Sequence, residues 1–163
     1  MRPHATRASR SWVFRVLNPV MRFFMLHSPA APKRGPLLLL SFTGRKSGKP
    51  FSIPVSYAAD VDGSLLVPGG GAWKWNLDDG RPAQIRLGGR DLQVSAELVT
   101  DAVEIERLLP RLASKSRIMD RFIGVSMDAA GQPDPVSLEK ALNDGFAIVR
   151  LRPVAELQAG VSR

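Results

Sequence analysis

Apolar and polar positions alternate along the middle of this chain in a way that predicts short β-strands joined by tight turns. Five segments have this pattern: residues 37–43, 51–59, 64–67, 82–87 and 90–99. A turn with two glycines separates the first two segments, and a Gly-Gly pair separates the last two. Each of these pairs is therefore predicted to form an antiparallel hairpin.

Beyond residue 99 the apolar spacing changes to the three-to-four-residue period of an amphipathic helix. Asp101 and Glu104 have the spacing of a capping box at its start. Pro110 is expected to bend or divide this helix, because proline lacks the amide proton that helical hydrogen bonding requires. The remaining predicted elements are two short helices and a closing strand, at residues 73–77, 138–142 and 146–151 respectively.

Successive hairpins followed by a helix and a returning strand are typical of an α+β protein. The pattern favours a closed or partly closed antiparallel β-barrel over alternating β-α-β units. A chain of 163 residues has the size of one compact domain. We expect a basic, aromatic extension and linker at residues 1–36, the barrel domain at 37–155 and a tail at 156–163.

The chain contains no cysteine, and its two histidines, His4 and His27, both precede the predicted barrel. Disulfides, thiolate metal sites and a cysteine nucleophile are therefore excluded. A histidine-based catalytic triad or a zinc site within the barrel is not expected, and no metal site is predicted. Any redox chemistry has to come from a bound cofactor.

The formal net charge of +8 is concentrated towards the amino terminus. Ten lysines and arginines precede the first acidic residue, Asp60, and the rest of the chain is close to neutral. Because this charge does not follow one face of a folded module, we do not expect a nucleic-acid partner.

Residues 12–26 combine aromatic and aliphatic side chains with two arginines, and they are too short and too interrupted to span a bilayer. Two interpretations stay open for this segment. It forms a helix in the membrane interface, with its arginines at anionic headgroups, or it packs over one end of the barrel. We expect a cytoplasmic protein, which the first interpretation would place at the inner face of the membrane.

The turn at residues 44–49 has the composition of an anion-binding loop. It contains Arg45, Lys46, Ser47 and Lys49 together with two glycines, Gly44 and Gly48. Glycine lets backbone amides converge on oxygen atoms, arginine binds a phosphate through two parallel hydrogen bonds, and lysine adds a point charge. The alternative is an exposed hairpin turn whose charges are simply solvated.

A second candidate element places three glycines, residues 69–71, between a strand and a short helix. Gly69 and Gly70 would allow a flat ring or a phosphate to approach the backbone closely. Trp73 would offer an aromatic wall, and Asn76, three residues later, would share its helical face. The alternative is that the glycines serve the turn and the tryptophan belongs to the core.

Together these elements resemble a known family. The string LLLLSFTGRKSGKPFSIPVSY, the glycine turn, a WxxNL pattern and a GGR hairpin are similar to the deazaflavin (F420)-dependent nitroreductase family. That family has a split β-barrel fold related to the flavin-dependent pyridoxamine phosphate oxidases. The resemblance therefore implies a split β-barrel here, a deazaflavin-dependent oxidoreductase and, by analogy with other split barrels, a homodimer.

The resemblance also implies positions for the cofactor, coenzyme F420. The turn would bind its phosphate-containing tail through four residues, Arg45, Lys46, Ser47 and Gly48. The deazaflavin ring would be bordered by residues on the next strand and on the short helix, namely Pro54, Val55, Trp73 and Asn76. Gly69 and Gly70 complete the candidate cofactor-binding set, and no catalytic residue is indicated.

The implied reaction is hydride transfer from reduced F420 to a small lipophilic electron-poor acceptor, such as a quinone or a nitro compound. One alternative is the same barrel with FMN, FAD or haem in place of the deazaflavin. Another is a cofactor-free interaction protein attached to a membrane surface through residues 12–26.

Overall fold

The computed structural model describes residues 37–78, 80–113 and 123–154. This part of the chain forms a seven-stranded antiparallel sheet, a 3-10 helix and two α-helices. The strands are β1 (Leu37–Thr43), β2 (Pro50–Ser56), β3 (Ala58–Ala59), β4 (Leu65–Gly69), β5 (Pro82–Leu87), β6 (Arg90–Val99) and β7 (Ala147–Pro153). The predicted extension 1–36, including its segment 12–26, and the predicted tail 156–163 lie outside the described residues.

The order of strands in the sheet is β2-β1-β5-β6-β7-β4-β3. β2 and β3 therefore lie at opposite edges of the sheet, although Tyr57 alone separates them in the sequence. The sheet has to curl until its two edges meet, because one residue of extended chain spans only about 3.5 Å. This curled half-barrel with flanking helices confirms the predicted α+β split β-barrel.

The predicted strand 51–59 is divided in the structure. Its first part pairs with β1 over seven positions, from Leu37 opposite Ser56 to Thr43 opposite Pro50. Its last part, Ala58–Ala59, pairs with β4 instead. The chain changes partners at Tyr57, and by doing so it passes from one edge of the sheet to the other.

Apolar side chains of the strands form two cores on opposite faces of the sheet. The barrel interior is filled by one cluster: Leu38, Leu40, Phe42, Leu65, Val67, Leu77, Ala83, Ile85, Val94, Ala96, Val149 and Leu151. The other face, around Leu66 and Ile148, is covered by α1 (Ala102–Ala113) and α2 (Pro135–Asn143). The strand alternation predicted from sequence thus separates a barrel core from a helix-sheet core.

The beginning of α1 follows the predicted capping box only in part. Asp101 Oδ1 accepts a hydrogen bond from the Glu104 backbone amide at 2.9 Å, as an N-cap does. The Glu104 carboxylate does not return to residue 101 but accepts a hydrogen bond from Arg150 of β7. The predicted division at Pro110 is wrong, because the helix continues through this residue to Ala113.

α2 is longer than predicted because it has its own start signal. Asp134 accepts a hydrogen bond from the Ser137 backbone amide at 2.9 Å, and Pro135 occupies the first helical turn.

Within the ranges that the structure describes, no helix has both the length and the apolar character needed to cross a lipid bilayer.

Candidate cofactor site

The basic turn between β1 and β2 is closed by its own backbone. The Gly44 amide donates to the Lys49 carbonyl at 2.8 Å, and the Gly48 amide donates to the Gly44 carbonyl at 2.9 Å. Gly48 has a φ of 64°, a conformation that favours glycine. The side chains of Arg45, Lys46, Ser47 and Lys49 are all exposed. The turn therefore presents three cations and a hydroxyl to solvent, and none of its own residues is acidic.

Gly44 is required by the close packing of this turn. A Cβ atom at this position would lie 2.6 Å from Ser47 Oγ and 2.7 Å from Cε2 of Phe51. Real Cβ atoms do not tolerate such contacts, so any side chain here would displace Ser47 or the Phe51 ring. The first glycine of the turn thus sets the position of the hydroxyl beside the cations.

A single hydrogen bond joins the turn to the 3-10 helix Ala72–Asn76. The Arg45 backbone amide donates to Asn76 Oδ1 at 2.9 Å, although the two residues are 31 positions apart in the sequence. Asn76 Nδ2 in turn donates to the Trp73 carbonyl at 3.0 Å, which fixes the orientation of the amide side chain. The two elements predicted separately from sequence are therefore held next to each other.

An aromatic series leads from the 3-10 helix to the turn. The Trp73 and Phe42 ring centroids are 6.4 Å apart, and the Phe42 and Phe51 rings are stacked at 5.8 Å. Phe42 is buried, whereas Phe51 is 42% exposed. Sequence reasoning missed Phe42, because a phenylalanine at the end of an apolar strand has the pattern of an ordinary core residue.

The three glycines before the 3-10 helix have different surroundings. Gly69 ends β4, and a Cβ atom there would lie 2.9 Å from the Ala147 carbonyl oxygen. At Gly71 the Cβ would lie 2.7 Å from Cδ1 of Trp73. Gly70 is exposed and has open space around it. Packing thus explains Gly69 and Gly71, and Gly70 is the member of the set that offers room for a ligand.

We expect Gly71→Ala to displace the Trp73 ring, because the new methyl group would occupy the position of the indole edge. The backbone at Gly71 is extended, with φ −112° and ψ 169°, so alanine itself is allowed there. The tryptophan fluorescence maximum should shift, and cofactor affinity should fall about tenfold, which corresponds to about 1.4 kcal/mol. The matched control is Gly70→Ala, which meets no atom within 4 Å. Equal effects of both substitutions would contradict this assignment.

Pro54 and Val55 lie farther along β2. They pair with Leu39 and Leu38 respectively and face opposite sides of the sheet. Val55 packs against the barrel-interior cluster, which Trp73 also contacts. With a strand rise of about 3.3 Å per residue, Pro54 is roughly 13 Å along the strand from Pro50 at the end of the turn. Because their side chains face opposite sides of the sheet, the structure does not bring both to one face beside the basic turn.

A shallow groove of about 260 Å³ lies beside the same turn. Polar side chains from four strands contribute to its lining, namely Ser41, Thr43, Ser52, Gln84 and Gln93. The Ser41 and Ser52 hydroxyl oxygens are hydrogen-bonded at 2.8 Å across β1 and β2. No pattern in the sequence indicates this groove, because it forms only when the strands are paired. Nowhere in the described ranges do three or more histidine or acidic side chains group into a potential metal site.

Comparison with known proteins identifies one family whose model matches this chain. A family model described as F420H(2)-dependent quinone reductase matches residues 28–124, more than half of the chain. No curated protein sequence matches this chain. The matched region contains the basic turn, the glycine junction and the 3-10 helix, together with all six strands from β1 to β6.

Solved structures with a similar fold have low sequence identity to this chain. Atu2129 from Agrobacterium tumefaciens str. C58, a protein of unknown function, is 14% identical with a TM-score of 0.53, over 93% of this chain and 59% of that one. A pyridoxamine 5'-phosphate oxidase-related, FMN-binding protein from Nostoc punctiforme PCC 73102 is 14% identical with a TM-score of 0.47, over 92% and 82%. The F420-H2 dependent reductase FDR-A is 15% identical with a TM-score of 0.42, over 72% and 94%.

Proposed function

We propose that the basic turn and the 3-10 helix together hold reduced F420 for hydride transfer, because this chain belongs to the F420H(2)-dependent quinone reductase family. Membership of the family makes the protein an F420-dependent reductase. The residues that bind the cofactor and the chemical class of the acceptor form the proposal. The supporting observation is the Arg45–Asn76 hydrogen bond, which fixes the basic turn relative to the aromatic series.

The residues of the site fit the two ends of the cofactor. F420 carries a flat deazaflavin ring at one end and a tail with a phosphate and carboxylates at the other. Arg45 and Lys46 would bind the phosphate by charge-assisted hydrogen bonds, with the Ser47 hydroxyl as a further donor. These groups are exposed on the turn, where a phosphate can reach them. The Gly48 amide already donates to the Gly44 carbonyl, so the role of Gly48 is to shape the turn, and it stays a predicted contact.

The other end of the site is suited to the ring. Trp73 is half-buried beside Phe42, and Gly70 leaves open space next to the same helix. A flat ring packs favourably against an indole, and a backbone without a Cβ atom allows it to approach closely. Asn76 keeps the indole and the basic turn at a fixed separation, as a ligand of fixed length requires. Pro54, Val55 and Gly69 stay predicted contacts.

When bound, reduced F420 supplies a hydride, and a quinone acceptor becomes a hydroquinone by taking that hydride together with one proton from water. The chain contains no cysteine, and its own residues bind and orient the reactants. The exposed aromatic residues Phe51 and Trp75 favour an apolar acceptor near the site. We therefore propose a lipophilic electron-poor acceptor, a quinone or a nitro compound.

Two further parts of the proposal concern assembly and location. A homodimer is expected by analogy with other split barrels. Contact with the inner face of the membrane would use residues 12–26, which lie outside the described residues. Both are predictions.

The direct test is to titrate the purified protein with F420H2 and, in parallel, with FMN. We expect F420H2 to bind in the micromolar range and FMN to bind more weakly. Adding menadione or a nitroimidazole should then restore the visible absorbance of oxidised F420, at a rate that depends on the protein concentration. Tighter binding of FMN, or the absence of F420H2 binding, would contradict the proposed site. If F420H2 binds but the protein reduces neither menadione nor the nitroimidazole, only the proposed acceptor class would be contradicted.

A further inference from the structure

Lys74 is a buried lysine in the middle of the 3-10 helix, with 4% of its surface exposed. Its ammonium group donates to the Gly69 carbonyl at 2.9 Å and to the Gly145 carbonyl. These acceptors are main-chain oxygens at the end of β4 and in the turn before β7. Burial lowers the pKa of Lys74, since an ammonium group is less stable away from water. A buried charge of this kind costs free energy and needs a reason.

The contacts of the Lys74 ammonium group all lie outside the basic turn. Its Nζ atom lies 5.2 Å from the centroid of the Trp75 ring, a cation-π distance. The side chain passes Gly69 so closely that a Cβ atom there would lie 3.1 Å from Lys74 Cδ. The two carbonyls thus occupy two of the three ammonium donors, and the Trp75 ring lies beside the charge. Lys74 is therefore not available to bind a phosphate at the basic turn.

The 3-10 helix needs contacts of this kind to keep its position. A helix of five residues has few hydrogen bonds of its own, and such short helices are not stable in isolation. Outside contacts come from Trp73, Lys74 and Asn76. Lys74 hydrogen-bonds to two separate segments of the chain, 5 and 71 positions away. Gly145 lies beyond the region matched by the family model.

We propose that Lys74 is a positioning residue for the cofactor site. By holding the 3-10 helix against β4 and against the turn before β7, it places Asn76 where it accepts the hydrogen bond from the Arg45 amide. It also keeps Trp73 beside Phe42. The part of this inference that concerns cofactor binding by the site rests on the proposed function. The effect on the Arg45–Asn76 hydrogen bond is independent of any cofactor.

The first experiment compares the wild-type protein with Lys74→Met, which keeps the length of the side chain and removes the ammonium group. We expect cooperative unfolding to be retained and hydrogen exchange of the Arg45 amide, measured without cofactor, to accelerate about tenfold, since its acceptor is no longer held in place. The dissociation constant for F420H2 should rise by a similar factor, with kcat at saturating cofactor changing less. Unchanged exchange at Arg45 would overturn the proposal.

The matched control is Lys140→Met. Lys140 is an exposed lysine at the end of α2, close to the turn before β7, and it pairs with Asp144. This substitution removes one charge without touching the 3-10 helix, so the Arg45 amide should keep its protection. Faster exchange in both variants would show a general effect of charge and would also overturn the proposal.

A chemical rescue separates the ammonium group from the rest of the side chain. The chain has no cysteine, so Lys74→Cys can be alkylated at this position alone, in denaturant, and then refolded. Treatment with 2-bromoethylamine restores an ammonium group of nearly the lysine length, whereas iodoacetamide leaves a neutral amide. We expect only the aminoethylated protein to recover slow exchange at Arg45. Equal exchange in the two products would contradict the proposal.

A measurement on the wild-type protein covers the case in which the variants do not fold. Nuclear Overhauser effects from the Lys74 side chain to the Trp75 ring and to the Gly145 α-protons should be present, and their absence would overturn the proposal. If the wild-type protein does not bind F420H2, the proposed function fails. The exchange results at Arg45 would still decide whether Lys74 positions the 3-10 helix.

Discussion

Replacing Arg45 and Lys46 together by alanine is expected to weaken F420H2 binding by about 100-fold or more. Hydrogen bonds to charged groups contribute about 1.5–3 kcal/mol each, and 1.4 kcal/mol corresponds to a factor of ten in affinity. Both side chains are exposed and project from a turn that its backbone closes, so unfolding should be unaffected. Isothermal titration calorimetry at fixed ionic strength measures the change, because exposed charges are screened by salt.

The control for this prediction is the double variant Arg90→Ala and Lys140→Ala. It removes the same number of charges from exposed positions. Arg90 begins β6 and pairs with Leu87, at the end of the sheet remote from the basic turn, and Lys140 lies on α2. The affinity for F420H2 should change less than about threefold, because charges farther away than a Debye length of about 10 Å are screened. An equal loss in both double variants would indicate attraction by net charge rather than binding at the turn.

The largest effect on stability is expected from Glu97→Gln combined with Glu104→Gln. These glutamates accept hydrogen bonds from Arg150, whose side chain is 7% exposed. Burial disfavours the charged form of Arg150, but the hydrogen bonds to Glu104 and Glu97 outweigh it and raise its pKa. Without the carboxylates a buried guanidinium would have no countercharge from these residues. We expect a loss of about 3 kcal/mol, measured by urea unfolding.

The complementary variant is Arg150→Met, which removes the buried charge itself. Glu97 keeps its ion pair with Arg152, and Glu104 keeps its contact with Arg107. Replacing a buried charge by an apolar side chain of similar size is often nearly neutral. We therefore expect Arg150→Met to be less destabilising than the double glutamine variant. Both variants lose the ion pairs of Arg150. The opposite order would therefore contradict a dominant cost of the isolated charge and would show that other contacts of the Arg150 side chain stabilise the fold.

Much of the fold followed from strand alternation and turn chemistry. The hairpin of β1 and β2, the hairpin of β5 and β6 and the strand β7 were all predicted close to their observed positions. The break at Tyr57 was not predicted. Alternation continues across it, and a period of two residues reports which face a side chain takes but not which strand is its partner. The change of partner is a property of the closed barrel.

The site was predicted in parts but not as a whole. The basic turn was recognisable because Arg45, Lys46 and Ser47 combine charge with flanking glycines. The hydrogen bond from Arg45 to Asn76 joins residues 31 positions apart, and no local pattern indicates it. The burial of Lys74 was not predicted, for a different reason. A lysine in a short helix is normally exposed, and its burial depends on carbonyls contributed by two other segments.

The order of the strands also affects how this chain can fold. β7 is the last strand along the described part of the chain, yet it lies inside the sheet, hydrogen-bonded to β6 on one side and to β4 on the other. Until it is inserted, the earlier strands form two separate groups, and the edges of β6 and β4 expose unpaired backbone amide and carbonyl groups. During synthesis the barrel therefore cannot close until residues 147–153 have left the ribosome. Protection of the unfinished sheet by a chaperone would be most useful in that interval.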